Sequence, residues 1–324
     1  MNRAPSFEDV RAAAARIALA VPPTPVLRSA AIDDWVRSRV HLKAEHLHPT
    51  GAFKLRGATN AVLLLSDEEA ARGVAAHSSG NHASSLAAAA ARRGIPCTVV
   101  IPRGMPAAKL AAVEASGARI VQCEPTMASR AEALAEVVAE TGAVEIHPFD
   151  DPRVQAGQGT ATLELLEEVP TIGLVVAPVS GGGLLSGTAI AAHGVDRSMP
   201  VWGAEPERVD DAYRSLAAGH LVLDPGGDTI ADGLIAQLSE RTFAILRGEN
   251  VQVVTVSEDE IVEAMRRLAV HAKQIVEPSG AVALAGLARL AREGVPLPSD
   301  VGVIVSGGNV DLDRWSSLVG QPDY

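Results

Sequence analysis

The sequence predicts an α/β protein: open, twisted, mostly parallel sheets with helices on both faces. Three observations predict it. Short β-branched runs alternate along the chain with longer alanine- and leucine-rich stretches at helical spacing. The runs are continuously apolar, as strands covered on both faces are, rather than alternating apolar and polar. Glycine- and hydroxyl-rich segments stand where a run gives way to a helix, the place at which doubly wound sheets gather ligands.

The chain opens on an alanine-rich amphipathic stretch holding Arg11 and Arg16. Lys43 then alternates with apolar residues in a strand, and the turn Pro49–Thr50–Gly51 leads into a helix that continues through residues 60–65. Further strands read over residues 73–77, 97–101, 118–121, 173–177, 251–256 and 301–305. Helices read over residues 81–93, 107–116, 127–140, 153–168 and 183–193. Three βα units lie close together before His147, and they suggest a small domain over residues 71–151. Its exit is the Pro/Asp-rich junction His147–Pro148–Phe149–Asp150–Asp151–Pro152, where helix is disfavoured and turn chemistry collects. Residues 1–70 and 152–324 share a larger domain. One continuous sheet is the alternative.

Composition bounds the function. The 324 residues are 47% hydrophobic and 21% charged, enough for a sizeable core. The formal net charge of −11 lacks the footprint of a general nucleic-acid binder. Cys97 and Cys123 can make neither a disulfide framework nor a four-cysteine metal site. No signal-peptide pattern and no run of about 18 apolar residues occurs, so the expectation is a cytoplasmic protein that does not span a membrane. Of 28 basic residues only four are lysines: Lys43, Lys54, Lys109 and Lys273. Chemistry that needs an amine has four candidates.

Lys54 is the best placed of them. A Pro-Thr-Gly turn delivers it to a helix start among small, apolar and aromatic neighbours. The positive end of a helix destabilises an ammonium, which suits an amine that forms a Schiff base or acts as a base. Next, His77–Ser78–Ser79–Gly80–Asn81–His82 follows a strand and opens a helix, offering hydroxyls and amides to a carboxylate. An ordinary N-cap is the alternative there. Ser180–Gly181–Gly182–Gly183–Leu184 follows another strand, and its amides can converge on a phosphate. It is not a Walker loop, and Ser186 stands where a dinucleotide fingerprint needs its third glycine. Glu205, roughly 20 residues on, keeps a nicotinamide-dinucleotide reading open. Ser306–Gly307–Gly308–Asn309 ends a further strand, and Glu277–Pro278–Ser279–Gly280 opens an alanine-rich helix. The dense carboxylates of residues 205–211 suit Mg²⁺ or Ca²⁺, with a solvated acidic helix start as the alternative.

A lysine, a carboxylate loop, a phosphate loop and a strand-end hydroxyl together suggest pyridoxal phosphate. In sequence order these motifs resemble the fold-type II pyridoxal-phosphate enzymes (tryptophan synthase β-like), specifically the serine/threonine dehydratase and serine racemase group. The match covers residues 25–311 and includes residues 50–58, 78–82, 156–159, 180–184, 230–234, 277–280 and 306–309. The resemblance implies a two-domain fold and a set of roles. Lys54 would hold the cofactor and move the Cα proton, with Ser79 able to deliver a proton on the opposite face. Phe53, Asn81, Ser180, Gly181, Gly182, Gly183, Leu184, Glu277 and Ser306 would contact the cofactor. Ser78, Ser79, Asn81 and His82 would hold the substrate carboxylate. Glu205, Asp211 and the Val209 carbonyl would bind a divalent cation such as Mg²⁺.

The implied reaction is dehydration of a small β-hydroxy amino acid to a 2-oxo acid and ammonia. L-Serine or L-threonine is the leading substrate, and a 3-hydroxyaspartate is a further candidate. Serine racemisation is the alternative within the family, kept open by Ser79. Outside it stand a nicotinamide-dependent oxidoreductase and a catalytically dead binding protein. Two positions depart from the racemase pattern, Ala83–Ser84 after Asn-His and Phe149–Asp150 after His-Pro. A homodimer, small-molecule substrates and no nucleic-acid partner complete the expectation.

Overall fold

The computed structural model describes residues 3–78, 80–104, 117–223 and 227–320. Its strands form two sheets. The larger takes β1 (Val26–Leu27), β2 (Arg39–Ala44), β7 (Val175–Pro178), β8 (Val201–Pro206), β9 (Gln252–Val256) and β10 (Asp300–Val305), in the order β1-β2-β10-β7-β8-β9. The smaller takes β3 (Val74–His77), β4 (Cys97–Pro102), β5 (Arg119–Cys123) and β6 (Val144–Glu145), in the order β5-β4-β3-β6. Only β1 pairs antiparallel with its neighbour; the other pairings are parallel. The fold is therefore the expected α/β class. The short strands β1 and β6 escape the sequence pattern because two residues carry no period. The predicted helix over 107–116 lies outside the described residues.

The central strand β10 shows why continuous apolar runs were needed. All six of its residues are buried, and Val303 is in register with Leu42 on one side and Val176 on the other. Both faces are covered, so neither can be polar. Helix α12 (Pro278–Arg292) covers one face, with Ala281 to Leu287 buried without a break. Each fully buried leucine there contributes about 1.5–3 kcal/mol.

Helix starts follow local chemistry. Ser6, Ser66, Ser239 and Ser257 each form a reciprocal capping box with the residue three further on. Asp151 caps α7 (Pro152–Glu168), whose first residue is proline. The helices that carry the site have no side-chain cap. These are α3 (Lys54–Leu63), α5 (Asn81–Arg93) and α8 (Gly183–Val195).

Glycines set the spacing of these helices. A Cβ on Gly157 would lie 2.6 Å from the Gly57 Cα, and one on Gly159 would lie 2.7 Å from the Gly187 carbonyl oxygen. Helix α7 thus packs backbone to backbone against both α3 and α8. Below it sits a closed ionic cluster. Arg56, wholly buried, takes Glu45 (2.7 and 2.9 Å) and Glu164 (2.6 and 2.6 Å) as two forked pairs. Lys43 Nζ adds Glu164 at 2.8 Å and donates to the Thr24 carbonyl at 2.7 Å. Two cations meet two anions, so the buried charge closes. Burial alone would raise the Glu45 carboxyl, but Arg56 and His48 outweigh it and hold it far below the ordinary range.

Candidate active site

Five segments converge at the carboxyl ends of the strands. The turn after β2 is tight: Gly51 has φ +72°, and its amide donates to the His48 carbonyl at 2.7 Å. The turn is then sewn to the end of β10. The Phe53 amide donates to the Ser306 carbonyl at 3.0 Å, the Gly308 amide donates to the Gly51 carbonyl at 2.9 Å, and Ala52 bridges to Gly307. Lys54 is the first residue of α3, and Phe53 lies under it, with Nζ 5.0 Å from the ring centroid. The Nζ donates to the Pro148 carbonyl at 2.8 Å.

Lys54 has no carboxylate partner in the described residues. Burial lowers its pKa to about 8, so desolvation, more than the helix end, prepares the amine. Lys43 is also buried but is committed to Glu164, and Lys273 Nζ donates to the Val270 carbonyl at the surface. Lys109 lies outside the described residues.

The glycine loop runs between β7 and α8. Gly182 has φ +85° and precedes the helix, whose first amides have no side-chain cap. A Cβ on Gly181 would lie 2.5 Å from the Phe149 ring, one on Gly183 2.8 Å from the Phe149 Cβ, and one on Gly182 2.7 Å from the Thr242 Cβ. Only glycine fits this loop. Ser180 Oγ donates to the Ala236 carbonyl at 2.9 Å, and Leu184 is buried.

From the smaller sheet come Ser78 and helix α5. The Ser78 amide donates to the Val100 carbonyl at 3.1 Å, while its Oγ accepts from the Gly80 amide at 3.4 Å. Ser79 lies outside the described residues. Asn81 Nδ2 donates to Glu277 Oε1 at 2.8 Å, so two predicted cofactor contacts from different sheets meet. Ser306 is buried, its Oγ donating to the Ser279 carbonyl at 3.3 Å. The His82 ring turns away: Nε2 donates to the Ile146 carbonyl at 2.8 Å. Burial, then the charge of Lys54, takes its pKa down to about 3, so its imidazole is neutral. What His82 offers an anion is its amide at the helix start.

The acidic segment has its own place at the end of β8. Glu205 is wholly buried, accepting the amides of Ala212 (3.2 Å) and Tyr213 (3.0 Å). Burial raises its pKa well above the ordinary value, and Asp211 adds to the rise. Two adjacent buried carboxylates are a donor set that fits a hard cation. Both Glu205 oxygens are taken by backbone amides. Among the described residues, no group of three or more His, Cys, Asp and Glu side chains could hold a metal. A site here needs the Val209 carbonyl.

Four participants escaped sequence reasoning. The Pro148 carbonyl and the Phe149 ring hold the lysine and the glycine loop; the signals were the proline-rich junction and the departure of Phe149–Asp150 from the racemase pattern, and neither gave these roles. Arg241 Nη1 donates to the Asp150 carbonyl at 2.6 Å and Oδ1 at 3.0 Å, tying that junction to α10 (Glu240–Gly248). Arg130, on α6 (Met127–Thr141), reads in sequence as an ordinary surface arginine. Its Nε is buried without a partner among the described residues. The His77 pKa is lowered by burial first, with Glu145 opposing and Arg130 adding to the fall, so this guanidinium lies within electrostatic range of the start of the serine loop.

The residues fit a phosphorylated aldehyde that accepts an amine. A desolvated lysine stands beside uncapped helix amides in a loop that admits only glycine, with a buried hydroxyl at a neighbouring strand end. Comparison with known proteins agrees. A family model described as pyridoxal-phosphate dependent enzyme matches residues 17–307. The chain is 46% identical to β-hydroxyaspartate dehydratase of Paracoccus denitrificans (strain Pd 1222), over 96% of this chain and 98% of that one. It is 42% identical to L-threo-3-hydroxyaspartate ammonia-lyase of Saccharomyces cerevisiae, over 97% and 96%. The solved structure of maize serine racemase superposes with a TM-score of 0.93 at 43% identity, covering 98% of this chain and 99% of that one.

Proposed function

This chain belongs to the pyridoxal-phosphate-dependent enzyme family, in its serine/threonine dehydratase and serine racemase group, and on that premise we propose that it is an ammonia-lyase acting on a 3-hydroxyaspartate. The reaction gives a 2-oxo acid and ammonia. Serine and threonine, the leading substrates from sequence, become secondary. The observation behind the change is Arg130: a guanidinium whose buried Nε has no partner among the described residues, within electrostatic range of His77, suits a substrate with a second carboxylate. The Paracoccus and yeast relatives support the same substrate class.

When bound, the cofactor supplies an electron sink that acidifies the Cα–H of an amino acid. The chain's residues do the rest. Lys54 would hold the cofactor and would take the Cα proton; its pKa of about 8 leaves part of the amine neutral near pH 7. Amides at the start of α5, with Ser78 and Ser79, hold the α-carboxylate. Arg130 orients the β-carboxylate. The amides of residues 181–184 would hold the phosphate, and Ser306, a hydroxyl rather than a carboxylate, would be the partner of the ring nitrogen. Phe149 covers the outside of the glycine loop. We assign the two sheets to two domains, residues 71–151 and the remainder, and a divalent cation to Glu205, Asp211 and the Val209 carbonyl.

Release of 2-oxo acid from the 3-hydroxyaspartates, L- and D-serine and L-threonine tests the reading. Arg130→Gln should raise KM for 3-hydroxyaspartate about tenfold or more, as loss of a charged hydrogen bond of about 1.5–3 kcal/mol implies. KM for serine should hardly move. Equal effects on both substrates would sink the assignment. Racemisation is the second reading, favoured by Ser79 and the likeness to maize serine racemase. It requires Ser79→Ala to abolish racemisation while elimination survives.

A further inference from the structure

The Asn81 side chain is held in one orientation by a chain of amides that ends on two acceptors. At one end Asn81 Nδ2 donates to the Glu277 carboxylate at 2.8 Å. At the other, Asn309 Nδ2 donates to the Thr50 carbonyl at 2.8 Å and to Asn81 Oδ1 at 2.8 Å. A carboxylate and a backbone carbonyl can only accept, so neither amide can be turned round without facing acceptor to acceptor. Room for Asn309 comes from Gly51, where a Cβ would overlap the Asn309 side chain. Asn309 is itself exposed, so this contact, rather than core packing, accounts for its place.

We propose that Asn309 is a positioning residue for the cofactor site, acting through Asn81. It fixes the amide so that the Nδ2 group, with one N–H spent on Glu277, has its second N–H to offer the cofactor's ring oxygen. The Thr50 carbonyl is the fixed acceptor that orients the Asn309 amide toward Asn81. The inference rests on the reading of Asn81 as a cofactor contact.

Asn309→Asp is the informative change, because it keeps the shape and removes both donors. The new carboxylate faces the Thr50 carbonyl and Asn81 Oδ1. If Asn81 rotates to satisfy it, Asn81 Oδ1 meets Glu277 instead. Either way the amide is misdirected. Equilibrium dialysis of pyridoxal phosphate, with the absorption spectrum of the bound cofactor, reads the effect without turnover. The expected result is at least a tenfold loss of affinity and a displaced absorption maximum for Asn309→Asp. Asn309→Ala should give a smaller change, and the cofactor-free melting temperature should not move.

The Asn81→Ala variant separates the two claims. In that background Asn309→Asp should have no further effect on affinity or spectrum. If Asn81→Ala is itself silent, the reading of Asn81 fails and takes this proposal with it. If Asn81→Ala weakens binding but Asn309→Asp does not, or if the two effects simply add, only the positioning role is overturned. Should Asn309→Asp lower the melting temperature, the same cycle with Asn309→Ala decides the question.

Discussion

The amide of Phe53 donates to the carbonyl of Ser306 at 3.0 Å. This bond joins the turn that presents Lys54 to the end of the central strand β10, so the amine and the strand-end hydroxyl are positioned by one backbone contact. The link runs from backbone to backbone, and the Lys54 side chain then reaches the Pro148 carbonyl. The rigidity comes from β10, which is paired on both sides and buried throughout.

The glycine loop and Phe149 are predicted to be a matched pair. Gly181→Ala would place a methyl 2.5 Å from the Phe149 ring. The expected outcome is a marked loss of pyridoxal phosphate binding, read by dialysis. Phe149→Ala in the same chain should restore much of it by removing the clash. The corresponding Gly182→Ala should not be rescued by Phe149→Ala, because φ there is +85° and its neighbours are Thr242 and Leu238.

Lys54 makes the cofactor-free protein's stability depend on pH. Its pKa is about 8 when folded, against 10.5 as a model value. Between those values the unfolded chain binds more protons, so stability rises as pH climbs through that window, and the penalty is full below it. Lys54→Met removes the penalty. The variant should melt above the parent at pH 7, with the gap closing as pH rises from about 8 to 10.5. A variant less stable at pH 7 would contradict the assignment of burial as the cause.

The ionic cluster under α3 should behave as a unit. Arg56→Met leaves Glu45 and Glu164 without their forked partner, and a broken buried pair costs about 3–5 kcal/mol. Urea unfolding should show a loss of that order. Adding Glu45→Gln should recover part of it, since Glu164 keeps Lys43 as its partner and the stranded Glu45 charge is gone. A double variant no better than the single one would mean that packing, not charge, dominates.

At Glu205 the expected measurement is a melting shift on adding Mg²⁺. The parent should be stabilised, because a cation relieves two crowded buried carboxylates. Glu205→Gln should lose most of that shift. An unchanged shift would move the cation elsewhere.

Much of this was legible in the sequence, and the limits have physical reasons. The α/β class, the parallel sheets, the Lys54 turn and the glycine loop follow from local signals: uniform apolar runs, a Pro-Thr-Gly turn, three glycines at a helix start. The desolvation of Lys54 was not legible, because it depends on segments brought in from Pro148 and beyond. Arg130 was invisible for the same reason, since an arginine on a helix looks solvated until the fold buries its Nε. His82 was assigned by its neighbours in sequence, yet its ring faces Ile146 and only its amide faces the site. The Asn81–Glu277 and Asn81–Asn309 contacts span 196 and 228 residues, beyond any local pattern.

The central claim is that Lys54 is the amine that holds the cofactor. Borohydride reduction of the cofactor-loaded protein, followed by digestion and peptide mass mapping, tests it most directly. The account predicts a single reduced pyridoxyl group on the peptide containing Lys54. Label on Lys43, Lys109 or Lys273 instead, or a protein that takes no label at all, would contradict it.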